Sequence, residues 1–448
     1  MLKPLLFLPF VVIIMDSYAQ KMPAFKPLRY DEDFSSLKND TSSNWYKRTK
    51  YTALSENSYI SFGGDARFQY FNVKNEGWGE VPRDKDGYVY TRMLVHADLH
   101  AGKNFRTFVQ LQSSTTDGKV VTSPVDEDPL EVHQAFIDLK TAHNKLTFRL
   151  GRQEMSYGYQ RLVAVREGPN SRQSFDALKS IFVTGNYRVD LFYGHHVASK
   201  KGIFDDGFNH NTKFWGAYAV RNKIRFFQNI DLYYLGLWKK SNAYDDGIGR
   251  ESRHSVGSRI WGNRGGWKYD VEALYQFGKS GTNNIAAWTA SLSTSYNLGR
   301  VEAGLKTEAI TGDNHYADGK LGTFNPLFPR GSYFGLASLI GPANLYDIHP
   351  SVTLALNKKL NWNFDYDVFW RYSKNDGLYA ISTIMIYSGK DIAARYIGQQ
   401  SSTDLVYTPT DYLYFRAEFT WFDAGAFLKE AGAGKDIFFC CFTTQIKF

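Results

Sequence analysis

The feature that most constrains the fold is a strict alternation of aromatic and polar residues. In LNWNFDYDVFWRYS, from Leu360 to Ser373, every second residue is apolar, and Asn, Asp or Arg fills most of the positions between. The segment WKYDVEALYQFG, from Trp267 to Gly278, repeats the pattern. A period of two is that of a β-strand with one apolar and one polar face. The chain is therefore predicted to be all-β.

The polar face of these strands carries many charges, which restricts where it can lie. A charged side chain that faces lipid costs about 2 to 4 kcal/mol at the membrane midplane, so the charged face must point into a water-filled interior. The aromatic load of 30 Tyr, 33 Phe and 10 Trp suits an outer surface in lipid. We predict a transmembrane antiparallel β-barrel that forms a monomeric pore. A secreted sugar-binding β-protein, with its aromatic face buried between sheets, is the alternative.

Turn signals divide the alternating segments into about 18 strands, an even number as in bacterial single-chain barrels. The imprecision of strand boundaries leaves 16 as the alternative. Short turns, such as Gly102 to Asn104, alternate with long loops, such as Met155 to Asp176. Tight periplasmic turns and extended outer loops give this arrangement in outer-membrane barrels.

The two ends of the chain predict export and membrane insertion. An apolar run from Leu5 to Met15 precedes Ser17-Tyr18-Ala19, so residues 1–19 are predicted to be a secretory signal peptide. Residues 20–57 are polar and non-periodic, and we expect an extension that is periplasmic or tucked into a barrel mouth. Residues 58–448 form the predicted barrel, which ends on an alternating strand and the aromatic Phe448. The predicted location is the bacterial outer membrane.

The inward-facing charges are the candidates for a conducting lumen or constriction. Arginine stays charged and can fork onto a carboxylate, so it suits an anionic polymer. The competing interpretation is that these charges pair with one another and only fill a wet lumen. The candidates are Asp65, Arg67, Arg92, Arg106, Arg152, Glu154, Arg161, Arg166, Glu167, Arg259, Lys306, Arg371, Arg416 and Glu418.

Arg152 and Glu154 do not follow the simple alternation. If Phe148 and Leu150 face lipid, strict alternation places Arg152 and Glu154 there too. Gly151 permits a bulge that resets the facing of the chain. We therefore predict that both side chains point into the lumen or its rim.

No pattern in the sequence predicts catalysis. The histidines lack zinc-type spacing, and no Gly-rich phosphate loop is present. The two cysteines, Cys440 and Cys441, are neighbours on opposite faces of a strand and are interpreted as small apolar residues. We expect a protein that is not an enzyme, with no cofactor, no metal and no nucleic-acid partner.

Three segments carry a resemblance to a known family. They are LGRQEMSYGYQRLVAVREGPNSRQSFDALK (150–179), SYISFGGDARFQYF (58–71) and TFNPLFPRGSYFGLASLIGPANLYDIHP (323–350). Together they resemble the alginate-export family of outer-membrane barrels, in its Bacteroidetes-type branch. The resemblance implies an 18-stranded barrel in which an arginine-rich constriction passes an anionic uronate polymer. It also implies a lumen role for Arg152 and places Asp65 and Arg67 on the first strand.

The resulting hypothesis is a passive outer-membrane channel for an anionic, alginate-like polysaccharide or oligosaccharide. The alternative is a general or differently selective porin, whose balanced lining passes small polar solutes. The expected partners are outer-membrane lipid and the saccharide, with a periplasmic scaffold protein if the channel serves export.

Overall fold

A computed structural model describes residues 22–40, 44–141, 143 and 145–448. The predicted signal peptide therefore lies outside the described residues. Eighteen antiparallel strands, β1 to β18, form a closed barrel in which each strand pairs with the next along the chain. The last strand closes the barrel on the first, in a register that runs from Asp65 opposite Lys447 to Lys74 opposite Phe438. The all-β prediction and the predicted strand number are confirmed.

The strands and helices have the following bounds. The barrel strands are β1 Ser58–Lys74, β2 Tyr88–Ala101, β3 Phe105–Asp117, β4 Asp128–Thr141, β5 Leu146–Gln153, β6 Phe175–Thr184, β7 Tyr187–Ala198, β8 Gly207–Asn222, β9 Asn229–Tyr244, β10 Gly247–Arg264, β11 Trp267–Ser280, β12 Asn283–Asn297, β13 Val301–Ile310, β14 Leu345–Ala355, β15 Leu360–Arg371, β16 Tyr396–Thr410, β17 Leu413–Ala424 and β18 Ile437–Lys447. Short strands at Thr52–Ser55, Lys320–Leu321, Leu378–Tyr379 and Met385–Tyr387 lie outside this set. The α-helices are α1 Trp45–Lys50 and α2 Ala426–Ala431, and 3-10 turns lie at Arg29–Asp31, Ser35–Asn39 and Glu76–Gly79.

The two faces of the barrel follow the alternation of the sequence. On β5, Leu150 is 55% exposed on the outer face whereas Arg149 is buried on the inner face. On β18, Phe442 is exposed and Cys441 is buried, and both cysteines are free thiols. The outer face is thus the apolar one. In the described ranges, no helix is long and apolar enough to cross a membrane.

The connections differ strongly between the two ends of the barrel. One end has short turns, such as 102–104 and 411–412, while the other carries the long segments 154–174, 311–344 and 372–395. Long loops mark the extracellular end of outer-membrane barrels. Several of them fold inward, and their buried apolar side chains, such as Val163 and Phe328, pack against inward-facing apolar residues of the strands, such as Phe175 and Phe214. The interior is therefore a packed, partly closed lumen.

The segment before the barrel also contacts the inner wall. Helix α1 is capped by the Asn44 side chain, and the strand that follows pairs with β1 through Thr52 and Ile60. Upstream of α1, Tyr30 is buried among inward-facing residues of β3 and β4. Residues 22–40 and 44–57 thus lie between the short-turn end and the lumen.

Candidate functional site

Two long loops meet inside the barrel and narrow the lumen. Val163, in the loop 154–174, pairs with Phe328, in the loop 311–344. The Phe328 amide donates to the Leu162 carbonyl, and the Ala164 amide donates to the Phe328 carbonyl, both at 2.9 Å. The loop 154–174, named here the crossing loop, is therefore bound by backbone hydrogen bonds to a second loop in mid-lumen.

One end of the crossing loop is fixed by Glu167, the acid of the REGPN segment. Its carboxylate contacts three guanidinium groups, those of Arg67 and Arg92 on the barrel wall and Arg172 in the loop. Burial raises the pKa of the Glu167 carboxyl, but these arginines outweigh it and hold the pKa well below its usual range. Arg67 also donates to the Glu167 carbonyl at 2.7 Å and to the Pro169 carbonyl at 2.8 Å.

Asn170 adds a neutral anchor beside this ionic one. Its side chain is fully buried, and its amide donates to the carbonyls of Thr115 at 2.9 Å and Asp126 at 3.0 Å. Buried amides of this kind fix a loop because an unmade hydrogen bond is costly in the interior. Asn170 was not among the predicted residues, although its place directly after Gly168-Pro169 in the REGPN segment was a signal.

The other end of the crossing loop is fixed on the opposite wall by Arg161. Its guanidinium lies 3.0 Å from carboxylate oxygens of Asp270 and Glu272 on β11, and 3.1 Å from Glu308 on β13. Burial opposes the charged form, yet the surrounding acids raise the pKa of Arg161 well above its ordinary value. Arg161 and Glu167 thus hold the loop across the full width of the lumen.

The N-terminal segment contacts the lumen wall at a third position, on strands β3 to β5. Tyr30 packs edge-on against Phe108 and Phe136, and its hydroxyl donates to the Glu154 carbonyl at 2.8 Å. The guanidinium of Arg149 lies 4.2 Å from the centre of the Tyr30 ring. Arg29 donates to the carbonyl of Gly64 at 2.8 Å. The segment is thus bound both to the wall and to the crossing loop.

Most of the predicted lumen residues on the wall form ion pairs with residues of opposite charge, which supports the competing interpretation for those residues. The guanidinium of Arg371 instead donates to loop carbonyls, including that of Ile392 at 2.7 Å. The ion pairs within the wall are Arg106 with Asp98, Arg259 with Asp231 and Asp270, Arg416 with Asp404 and Glu418, and Asp65 with Arg92; Asp65 also pairs with Arg29 of the N-terminal segment.

The prediction for Arg152 is wrong, whereas Glu154 lies inside as predicted. Arg152 stands opposite Asp176, on the same outer face as Leu150, and its Nε lies 2.9 Å from the Asp176 carboxylate. The alternation continues through Gly151 without a reset, so Arg152 stays outside and Asp176 neutralises it. Glu154, beyond the strand end, is fully buried and lies 2.8 Å from His133.

Arg166, Lys306 and Arg330 are cations of the lumen that make no ion pair with an acid among the described residues. Lys50 and Arg371 are two others, but both donate to backbone carbonyls at the barrel wall or in a loop. Burial lowers the pKa of the Arg166 guanidinium to about 10. Lys306 and Arg330 line a pocket of about 290 Å³ between the loop 311–344 and strands β13 to β17. Lys306 was among the predicted residues, and Arg330 was missed although it directly follows the TFNPLFP segment.

Two aromatic rings lie close to the Arg330 guanidinium, and neutral polar side chains line the same pocket. The Arg330 guanidinium lies 5.1 Å from the ring centre of Tyr159 and 5.6 Å from that of Tyr333. Burial raises the pKa of the Tyr159 phenol, but Lys306 and Arg330 lower it below its ordinary value. The local field is therefore positive. Cations, aromatic rings and side chains such as Asn363 form a surface that can bind a carboxylated sugar.

Solved structures of bacterial porins share this architecture. OccK3 (OpdO) of Pseudomonas aeruginosa is 12% identical with a TM-score of 0.57, covering 88% of this chain and 96% of that chain. P. aeruginosa OccK2 (OpdF), solved in complex with glucuronate, is 9% identical with a TM-score of 0.58, covering 88% and 98%. A BenF-like porin from Pseudomonas fluorescens Pf-5 is 10% identical with a TM-score of 0.59, covering 87% and 99%. The fold is that of an outer-membrane β-barrel.

The family follows from the sequence itself. The family model described as alginate export matches residues 58–437, which is most of the chain. The protein therefore belongs to the alginate export family, and it is an outer-membrane channel rather than an enzyme. No curated protein matches the chain significantly.

Proposed function

We propose that this protein passes an alginate-like uronate saccharide through the outer membrane by passive diffusion, with carboxylates binding at Lys306 and Arg330. The observation that carries the proposal is the pocket in which these two cations lie free of any acid partner in the described chain. The charges of the wall arginines are already compensated by neighbouring acids, which weakens their attraction for a passing carboxylate. Lys306 and Arg330 form no such ion pair within the described chain.

The chemistry of the pocket favours transient rather than tight binding. Conduction needs binding sites that are weak enough to release the solute. Acids near the cations weaken the binding of a carboxylate by repelling it. Asp365 and Asp404 line the same pocket and limit its net positive charge. The porin OccK2, which shares the fold, was solved in complex with glucuronate, a monomeric uronate. This likeness supports a uronate as the solute class.

A general porin for small polar solutes is the second candidate. The extensive pairing of the wall charges favours it, because a balanced lining gives little selectivity between anions and cations. The two candidates differ in whether an oligouronate binds in the lumen.

Single-channel recording in planar bilayers tests the proposal. We expect oligouronate, and not neutral dextrin, to block the current. Lys306→Gln and Arg330→Gln should each weaken this block about fivefold, since a partly exposed ionic contact contributes about 1 kcal/mol. The matched control is Lys268→Gln, which removes the same charge from a lysine already paired with Glu302 at 2.6 Å.

The control variant should retain wild-type block. Cation selectivity of the wild-type channel would contradict the proposal, as would equal block by uronate and dextrin. Equal losses in Lys306→Gln and Lys268→Gln would show that net charge, and not the pocket, determines the affinity.

A second prediction concerns Arg152, the residue to which the family resemblance assigns a lumen role. Because its side chain lies on the outer face and pairs with Asp176, Arg152→Ala should leave the ion selectivity and the uronate block unchanged. Reversal potentials in a salt gradient measure this. A loss of anion selectivity in Arg152→Ala would place the side chain in the conduction path instead.

A further inference from the structure

A cluster of acids lies at the extracellular end of the barrel, away from the Lys306–Arg330 pocket. Asp128 and Glu131 are the first and fourth residues of β4, and Asp206 is the last residue of the loop 199–206 between β7 and β8. One carboxylate oxygen from each of the three residues lies within 4.8 Å of the other two. The cluster joins a barrel strand to a loop that is distant in sequence.

Local structure forces these acids together. The pairing of β3 with β4 shifts its register twice, so that Gln112 stands opposite Glu131 and Ser114 opposite Asp128. Such bulges re-aim side chains at the rims of barrels. The loop is then fixed by its backbone, because the Phe204 amide donates to the Leu130 carbonyl at 3.0 Å. The Asp206 amide donates to Glu131 Oε2 at 2.9 Å.

The independent sign of a ligand is an unsatisfied oxygen. Asp128 is 1% exposed, and its Oδ1 has no hydrogen-bond partner among the described residues. The neighbouring Asp205 also has a buried Oδ1 for which the described residues offer no donor. A buried carboxylate oxygen without a donor from the protein is costly, and such a group normally pairs with a cation or coordinates a metal.

Among the residues that the structure describes, no cation lies within ion-pair distance of Asp128, Glu131 or Asp206. The Arg152 guanidinium acts on Asp206 only over a longer range. The nearby Lys200 ammonium donates to the Asp205 carbonyl at 2.7 Å. Arg152 is bound to Asp176. Several carboxylates packed together without compensation repel one another, so the arrangement calls for a bound positive charge.

We propose that Asp128, Glu131 and Asp206 bind a calcium ion at the extracellular mouth of the barrel. Every side-chain donor is a carboxylate oxygen, the ligand type that Ca²⁺ prefers, and the cluster contains no nitrogen or sulfur donor that would favour zinc or copper. The ion would join the loop 199–206 to β4, and so hold an extracellular loop beside the entrance to the lumen.

Calcium binding is measured on the full-length barrel purified in detergent, which removes lipid-bound divalent cations. Isothermal titration calorimetry with CaCl₂ should show one saturable site, and Ca²⁺ should raise the unfolding temperature above that in EDTA. Asp128→Asn and Glu131→Gln should each weaken binding by more than about tenfold, since even outer-shell changes cost that much. The control is Asp318→Asn, an exposed acid in another long loop.

The outcomes separate calcium binding from simple protonation. If Asp128 is instead a neutral carboxylic acid, the wild-type barrel will show no heat of Ca²⁺ binding, and that result overturns the proposal. Equal affinities in the wild type, Asp128→Asn and Glu131→Gln overturn it as well. If Asp128→Asn fails to fold, Glu131→Gln tests the site in its place. Luminescence from Tb³⁺, a probe of calcium sites, is a second measurement on the wild-type barrel. Tb³⁺ emission that Ca²⁺ does not reduce would contradict the proposal.

Discussion

Replacing Arg161 by methionine is expected to release the crossing loop from the wall and to shift the channel toward cations. The change leaves Asp270, Glu272 and Glu308 buried without their shared partner. Removing one partner of a buried ionic cluster lowers the stability of the folded state by about 3 to 5 kcal/mol, because the remaining charges stay buried without compensation. The freed carboxylates then face a wider lumen. Reversal potential and single-channel conductance measure both effects.

Arg161→Lys serves as the matched variant. It keeps the charge but lacks the planar fork that reaches three carboxylates, so we expect an intermediate shift. Limited proteolysis of residues 154–174 reports the position of the loop independently of the current. Unchanged conductance together with unchanged protection from protease would show that Arg161 does not hold the loop across the lumen.

Replacing Tyr30 by alanine is expected to release the N-terminal segment from the lumen and to increase the fraction of time spent in a high-conductance state. The change removes the ring that packs on Phe108 and Phe136 and the hydroxyl that bonds the Glu154 carbonyl. Truncating a buried aromatic costs about 3 to 5 kcal/mol, so the equilibrium constant for docking of the segment should fall about a hundredfold or more. Single-channel open probability measures the change.

A matched control lies in the same segment. Trp45 is a large aromatic that is 74% exposed, so Trp45→Ala should leave the open probability at the wild-type value. Deletion of residues 22–40 should reproduce the effect of Tyr30→Ala. If the deletion leaves the conductance unchanged, the segment does not obstruct the conduction path.

The strands and the direction in which their side chains point were predictable from the sequence, because residues two positions apart in a strand lie on the same face. An alternating run such as Leu360 to Ser373 can bury only one face, so the pattern alone predicts a strand with a lipid side and a lumen side. Inward placement of Arg67 and Asp65 followed from the same rule. Strict alternation also places Arg152 on the outer face, as the structure does. The prediction of an inward Arg152 was wrong because it assumed a bulge at Gly151 that would reverse the facing.

Long-range pairing within the lumen was not predictable in the same way. Arg161 meets acids more than a hundred positions later, and Asp128 meets Asp206 across three intervening strands. No local spacing encodes such contacts, because loop residues carry no periodicity and their partners are brought near only when the barrel closes. The sequence by itself thus determined the barrel, its two faces and its family. Only the tertiary structure decided which charges are neutralised and which remain free for a solute, because ion pairing depends on distances that closure of the barrel creates.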